Sequence, residues 1–415
     1  MKKSGRSFVR TYNRHAILDI IRISELISRI DIARSTGLSQ ASVTAITADL
    51  IDEGLILEKR PGVHEGGRPP ILLSISPEGA HAIGINLTLE KIDIAIINFQ
   101  AEIKAFHSKK LNMKNYSVHE IINIIVDCVK ECMWEADFSK QNISGIGIGI
   151  PGLVDSQSGR ICFLPNYGWE NVNFRDLFQK QINIPTYIEN SSNNLAIAEH
   201  WFGTGKGMDN FIVVTLENGI GAGYIINGEI SRGHGGIAGE FGHLSMDPNG
   251  PTCRCGKKGC LEAFAGNNSI MRDAKNIIKQ GLWDIKSEGT TSDDITFDDV
   301  INALNKQEPE LIKIFEKAGT VLGTGISHLI TLLNPEKIII TGKGVKAKDK
   351  LFDSMFLSIN RCVSRKLKIH ETEIIIKKWC DKEWVKGAGA LVLKEIYKSP
   401  EIIKTALTKT IKKEF

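Results

Sequence analysis

The spacing of apolar residues along this 415-residue chain changes several times, and each change predicts an element or a boundary. Between Arg10 and Ile23, residues Ile17, Leu18, Ile20 and Ile21 share one helical face. Ser28–Arg34 predicts a short second helix, with Gly37 placed to stop it. Ser39 is placed to cap a third helix running from Gln40 to Glu53. On that helix Val43, Ile46, Leu50 and Ile51 are expected to face inward, leaving Gln40, Ala41, Ser42, Thr44 and Thr47 outward. Two short strands follow, Leu55–Lys59 and Ile71–Ser76, on either side of the glycine-rich segment 60–70 that carries Arg68. Three helices and a hairpin in this order predict a winged helix-turn-helix over residues 1–78.

From Ala80 the pattern alternates with a period of two, predicting strands over His81–Leu87, Ile92–Asn98 and Glu102–Ser108. An amphipathic helix over Val118–Trp134 and a buried strand over Ile143–Ile150 come next, the strand ending in Pro151-Gly152. Phe211–Thr215 and Tyr224–Ile226 predict the opening strands of a second set. Glu310–Leu333 reads as a long helix, Lys337–Thr341 as a strand, and the polar stretch Gly281–Asp294 as a loop. The class is α/β.

The length implies more than one domain. A hydrophobic content of 42% with 24% charged residues is that of a soluble globular chain. No apolar run is long enough to span a bilayer, and the opening MKKSGRSFVR lacks the apolar core of a signal peptide. Eight cysteines in such a chain predict reduced thiols and a cytoplasmic location. The formal net charge of +4 matters less than its placement: Lys2, Lys3, Arg6, Arg10 and Arg14 fall in the first fourteen residues with no acid among them. Such an arm suits phosphates. In helix-turn-helix proteins the N-terminal residues of the recognition helix reach base edges, and glutamine can read adenine bidentately. An arginine on a narrow wing fits a minor groove. Ser39, Gln40, Ser42, Thr44, Thr47 and Arg68 are therefore the predicted contacts to double-stranded DNA. A small helical domain that binds protein is the alternative.

The stretch Gly233–Gly266 concentrates the candidate chemistry. His243 is followed after nine residues by Cys253-x-Cys255 and, after four more, by Cys260. One imidazole and three thiols suit a closed tetrahedral zinc site, which is structural because no coordination position stays open. A disulfide within Cys-x-Cys would be strained. Cys128, Cys132, Cys162, Cys362 and Cys380 show no ligand spacing.

Ala238-Gly239-Glu240-Phe241-Gly242-His243, followed by Cys-x-Cys-Gly-x-x-Gly-Cys-Leu-Glu, resembles the signature of the ROK family of bacterial sugar kinases and sugar-responsive repressors. The segment 1–78, with Gly67-Arg68-Pro69-Pro70 in its wing, resembles the DNA-binding domain of the repressor branch. The resemblance implies a two-lobed actin/hexokinase-like domain of ribonuclease-H-like halves with the ligand in the cleft between them. The first lobe would span 79–195, completed by a C-terminal helix over 393–415, and the second would span 196–392. It implies that Glu240 and Glu262 bind sugar hydroxyls. His243 would hold zinc through one ring nitrogen and offer the other to the sugar, with Asn190 and Ser191 also on the sugar side. The family's phosphate-handling motifs are altered here. Asn86-Leu87-Thr88-Leu89-Glu90-Lys91 stands for Asp-x-Gly-Gly-Thr-Lys, and Glu217-Asn218-Gly219-Ile220-Gly221 for Gly-Thr-Gly-x-Gly. Ser191 stands at the catalytic aspartate, and Gly342-Lys343-Gly344 for a Gly-Gly-Gly loop. The expectation is a transcriptional repressor, a homodimer or tetramer on an inverted-repeat operator, governed by a sugar or sugar-phosphate effector in a catalytically dead domain. The alternatives are an active sugar kinase with an added DNA-binding domain, and a repressor released by a protein partner.

Overall fold

The computed structural model describes residues 3–59, 71–112, 116–284, 291–363 and 371–397. The N-terminal portion contains α1 (Lys3–Ser24), β1 (Ile27–Ser28), α2 (Arg29–Thr36), α3 (Gln40–Asp52), β2 (Ile56–Lys59) and β3 (Leu72–Ile75). Ile17, Leu18 and Ile21 of α1 are buried, as are Ile32, Val43, Ile46 and Leu50 of the next two helices and Ile56 and Leu73 of the strands. Each such side chain contributes about 1.5–3 kcal/mol relative to exposure. β3 lies between β1 and β2, antiparallel to both, as a wing requires. The wing's tip, with Arg68, lies outside the described residues. α1 starts earlier than its apolar face predicts.

The next elements are β4 (His81–Leu87), β5 (Lys91–Asn98), β6 (Ile103–Lys110), α4 (Val118–Glu135), β7 (Gly145–Ile150), β8 (Leu153–Asp155), β9 (Arg160–Leu164), β10 (Trp169–Val172), α5 (Phe174–Ile182), β11 (Thr186–Asn190) and α6 (Ser191–Phe202). α4 starts where predicted because Ser117 and Glu120 form a reciprocal capping box. Its Ile121, Ile122, Ile125, Val126 and Val129 pack on the apolar residues of a five-stranded sheet ordered β11-β7-β4-β5-β6. A small antiparallel sheet of β8, β9 and β10 accompanies it.

A second set contains β12 (Phe211–Leu216), β13 (Ile220–Ile226), β14 (Glu229–Ile230), α7 (Leu261–Ala265), α8 (Asn267–Lys279), α9 (Phe297–Asn305), α10 (Pro309–Leu333), β15 (Lys337–Thr341), α11 (Asp349–Cys362) and β16 (Glu373–Ile376). Its sheet is ordered β14-β13-β12-β15-β16. Both sheets follow one rule: three antiparallel strands in succession, then two more added in parallel on the far side of the first. This repeated five-stranded topology is the ribonuclease-H-like arrangement that the resemblance implied.

The last helix, α12 (Lys382–Tyr397), returns to the first sheet. A Cβ on Gly84 of β4 would lie 1.8 Å from the carbonyl oxygen of Val385, and one on Gly147 of β7 would lie 1.9 Å from that of Ala388. Backbone-to-backbone packing at this range admits only glycine. The chain divides into two compact units, Met1–Gly207 with Trp384–Phe415, and Met208–Glu383. These divisions fall at 207/208 and 383/384 rather than at 195/196 and 392/393. α6 belongs wholly to the first unit because Leu195, Ala196, Ile197 and Trp201 are buried, and α12 belongs there because its first turns carry the contacts to Gly84 and Gly147. Among the described residues no helix is long and apolar enough to cross a membrane.

Candidate functional site

Ser28 caps α2 by accepting from the Asp31 N–H, and Gly37 ends it in the left-handed conformation at φ 68°. Ser39 caps α3, its Oγ accepting from the Ser42 N–H at 3.2 Å. This turn leaves Gln40, Ala41 and Thr44 exposed and Ser42 half-buried on the first turns of α3. Thr47 is a correction to the predicted outward face. It is fully buried, and its hydroxyl takes a hydrogen bond from Arg29 Nε at 2.9 Å. It lies four residues from Val43, so it shares that residue's inward face, and Arg29 satisfies the hydroxyl there. The basic arm also differs from expectation. Arg10 pairs with Asp49 and Arg14 pairs bidentately with Glu53, so these two arginines clamp α1 to α3.

The metal candidates converge. Single ligand atoms from His243, Cys253, Cys255 and Cys260 all lie within 4.8 Å of one another. Cys255 Sγ is 3.6 Å from Cys260 Sγ, and Cys253 Sγ is 3.5 Å from His243 Nδ1. A tetrahedral zinc with ordinary bond lengths sets such S···S and S···N separations at about 3.8 and 3.6 Å, so the residues fit the ion. The loop is shaped for it: Gly259 has φ 69°, and a Cβ there would lie 1.5 Å from the Asp247 carbonyl oxygen. Burial pushes the Cys260 thiol up to about 12, aided by the facing Cys255 and Cys253 sulfurs. A metal bound there would take the thiolate form and so release a proton.

His243 turns its other nitrogen, Nε2, toward Glu240 at 3.7 Å. Glu240 is exposed, although desolvation of its carboxyl raises its pKa against the pull of His243 and Arg254. Glu262 differs: it is buried, accepts the Ile220 N–H at 3.0 Å, and is held by both Nε and Nη2 of Arg254. The hydrogen bonds to Glu262 raise the Arg254 pKa. Sequence reasoning passed over Arg254. The available signal was a cation between two metal-site cysteines, eight residues from a carboxylate.

In the first unit, Asn190 caps α6, accepting from the Ser192 and Asn193 N–H groups and donating Nδ2 to the Gly152 carbonyl. Its side chain thus positions the helix. Beside it, Ser191 Oγ, Asn193 Oδ1 and both polar atoms of Asn194 are buried, with no hydrogen-bond partner found among the described residues. Buried polar groups are normally paired, so donors and acceptors clustered at a helix N-terminus suit a polyhydroxylated ligand.

The stretches that stand for the family's phosphate-handling motifs make internal hydrogen bonds. Glu217 accepts the Lys343 N–H at 2.9 Å, so its carboxylate holds a backbone donor of the Gly342–Gly344 loop. Its own backbone is tied to Gly219 and Asn267. In the 86–91 stretch, Thr88 and Lys91 hydrogen-bond each other through backbone and hydroxyl, closing the turn on itself. Loops that cradle phosphate present free N–H groups instead.

Residues 82–395 match the profile of the ROK family. The chain is 31% identical over 402 residues to the xylose repressor of Caldicellulosiruptor bescii, covering 96% of this chain and 99% of that protein. Among solved structures it is similar to a ROK family transcriptional regulator described as a homolog of the E. coli MLC protein. That match has a TM-score of 0.80 at 26% identity, over 96% of this chain and 99% of the other. It is also similar to a ROK family glucokinase from Streptomyces griseus, solved with glucose and AMPPNP. Here the TM-score is 0.65 at 25% identity, over 75% of this chain and 99% of the kinase.

Proposed function

The chain belongs to the ROK family, and on that premise we propose that it is a DNA-binding transcriptional repressor whose kinase-like portion senses a sugar or sugar derivative without phosphorylating it. The observation that carries this reading is the winged helix joined to a ROK domain in one chain, a whole-length combination that the repressor and the regulator share with it. Gln40, Ser42 and Thr44, on the exposed first turns of α3, are the proposed base contacts, with Ser39 at the cap and Arg68 on the wing. Asn190, Ser191, Glu240, His243 and Glu262 are the proposed sugar contacts. Ionised carboxylates make strong hydrogen bonds to hydroxyls. A structural zinc would be held by His243, Cys253, Cys255 and Cys260, bracing the loop that runs from Glu240 to the start of α7, which carries Glu262. The protein would act in the cytoplasm as a homodimer or tetramer.

The test has two parts. Selection from a random duplex pool should yield an inverted-repeat site, and a sugar panel should then contain at least one member that lowers affinity for it. No enriched sequence would sink the repressor reading. The likeness to a glucokinase favours a second reading, an active kinase with a DNA-binding domain. Sugar-dependent ADP release would establish it; the engagement of Lys343 N–H by Glu217 argues against it.

A further inference from the structure

Arg254 stands between two cysteines of the metal loop, yet its side chain grips a carboxylate. Its Nε lies 2.5 Å from Oε1 of Glu262 and its Nη2 3.2 Å from Oε2. The same Oε2 also accepts the Ile220 N–H at 3.0 Å. Gly219 approaches so closely that a Cβ there would lie 2.2 Å from Oε2. A carboxylate has about four acceptor sites, and Nε, Nη2 and the Ile220 N–H already engage most of them.

Exposure separates the two partners. The Glu262 side chain is 5% exposed and that of Arg254 49%, so the guanidinium covers the carboxylate on its solvent side. Glu240 is 44% exposed, with His243 Nε2 at 3.7 Å. The two carboxylates of the candidate sugar set are therefore not equivalent: one is open and the other is latched. A hydroxyl that hydrogen-bonds Glu262 must first take over acceptor sites that the fork of Arg254 holds.

We propose that Arg254 is a specificity-determining latch of the effector site, an internal competitor for Glu262 that a ligand displaces only with a matching pair of hydroxyl donors. The proposal rests on the sugar-sensing reading above and adds a ligand class to it. Opening the latch leaves Glu240 and Glu262 facing the ligand, and two carboxylates repel an anionic substituent. The class is therefore a neutral or amino sugar presenting two neighbouring hydroxyls, and a ligand with a single hydroxyl lacks the second donor needed to replace the bidentate pair.

The experiment titrates zinc-loaded full-length protein calorimetrically with neutral hexoses, pentoses, amino sugars and a hexose 6-phosphate, for the parent, Arg254→Gln and Arg254→Lys. Arg254→Gln removes the charged competitor, and binding of the neutral sugar should tighten on the order of tenfold, the equivalent of one charge-assisted hydrogen bond. Arg254→Lys keeps the charge but loses the planar fork, so a smaller tightening in the same direction is expected. The lysine variant also carries the test if the glutamine variant fails to fold. Equal or weaker binding by both folded variants would overturn the latch, because Arg254 would then be a ligand contact or a support. Tighter binding of the hexose phosphate than of any neutral sugar by the parent would overturn the ligand class. Binding of no sugar by parent or variants, with operator binding intact, would remove the sugar-sensing reading itself and the latch with it.

Discussion

Replacing Ser191 with aspartate would place a carboxylate where the resemblance puts the base of the family's kinases, but it would leave the loops at Glu217 and Thr88 as they are. Glu217 would still hold the Lys343 N–H, and the turn at Thr88 and Lys91 would still be closed on itself. A general base contributes typically 10²–10⁴-fold only when its reactants are already in place. Ser191→Asp alone is therefore expected to give no sugar-dependent ADP release. Turnover by that single variant would mean that the internal contacts at these loops open readily. A second expectation concerns Cys255, the exposed member of the metal set. Cys255→Ala should bind well under one zinc per chain by elemental analysis and should melt several degrees lower, at roughly 2–4 °C per kcal/mol for a unit of this size. Its effector response should also weaken, because the loop braces Glu240 and Glu262. Unchanged metal content would exclude Cys255 as a ligand. The convergence of His243, Cys253, Cys255 and Cys260 was legible in the sequence because the four residues are close in the chain and chemically distinctive. Thr47 was misread for the opposite reason: its polarity suggested solvent, while its four-residue spacing from Val43 pointed inward, and packing with Arg29 prevailed. The engagement of Glu217 was not legible, because its partner lies 126 residues away.

The twelve-residue helix α6 links two of these features along one rigid element about 18 Å long. Its first turn carries Ser191 and Asn194, whose buried polar atoms have no partner among the described residues; its last turn receives Arg22 from α1 of the winged helix. Arg22 is buried. It donates Nη1 to the carbonyls of His200 and Trp201 at 3.2 and 2.6 Å, pairs with Asp19, and lies 4.4 Å from the centre of the Trp201 ring. A charged donor satisfied on all sides contributes about 1.5–3 kcal/mol per hydrogen bond, and the ring face adds to this. Arg22→Ala should lower the denaturation midpoint of full-length protein, and Arg22→Lys should not restore it, since a compact ammonium lacks the planar fork that spans the carbonyls on one side and the carboxylate on the other. A midpoint equal to the parent's in the alanine variant would show that the contact carries no stability. At this scale the apolar pattern located many strands but not their pairing. β7, β12 and β15 are buried along their whole length and are mostly apolar, a pattern that specifies no neighbour. The shared order of the two sheets emerges only from the registers, and the docking of α12 was not legible because it depends on Gly84 and Gly147, some 240 to 300 residues earlier in the chain; most of the helix expected over 393–415 lies outside the described residues.

For the molecule as a whole, the central expectation is a homodimer, or a pair of dimers, on an inverted-repeat operator that it leaves when effector binds. One winged helix covers little DNA and gives modest affinity, so two joined by a dimer contact and spaced by a whole number of helical turns are needed. Effector can release the operator only by binding the DNA-free form more tightly, and each tenfold preference shifts the equilibrium by about 1.4 kcal/mol. Two variants separate reading DNA from sensing sugar. Gln40→Ala removes an exposed contact from the first turn of α3 and should weaken operator binding by roughly 1–3 kcal/mol while leaving sugar affinity at the parent value. Glu240→Ala removes the open carboxylate and should leave operator affinity unchanged while abolishing release by sugar. Light scattering for mass, anisotropy on a labelled operator and calorimetry for sugar read the three quantities independently. If Glu240→Ala protein leaves the operator at the same sugar concentration as the parent, the second unit's carboxylates are not the sensor. If neither protein responds to any sugar but both are released by a protein from sugar-grown cells, the effector is a protein partner, and the carboxylates of Glu240 and Glu262 serve another purpose.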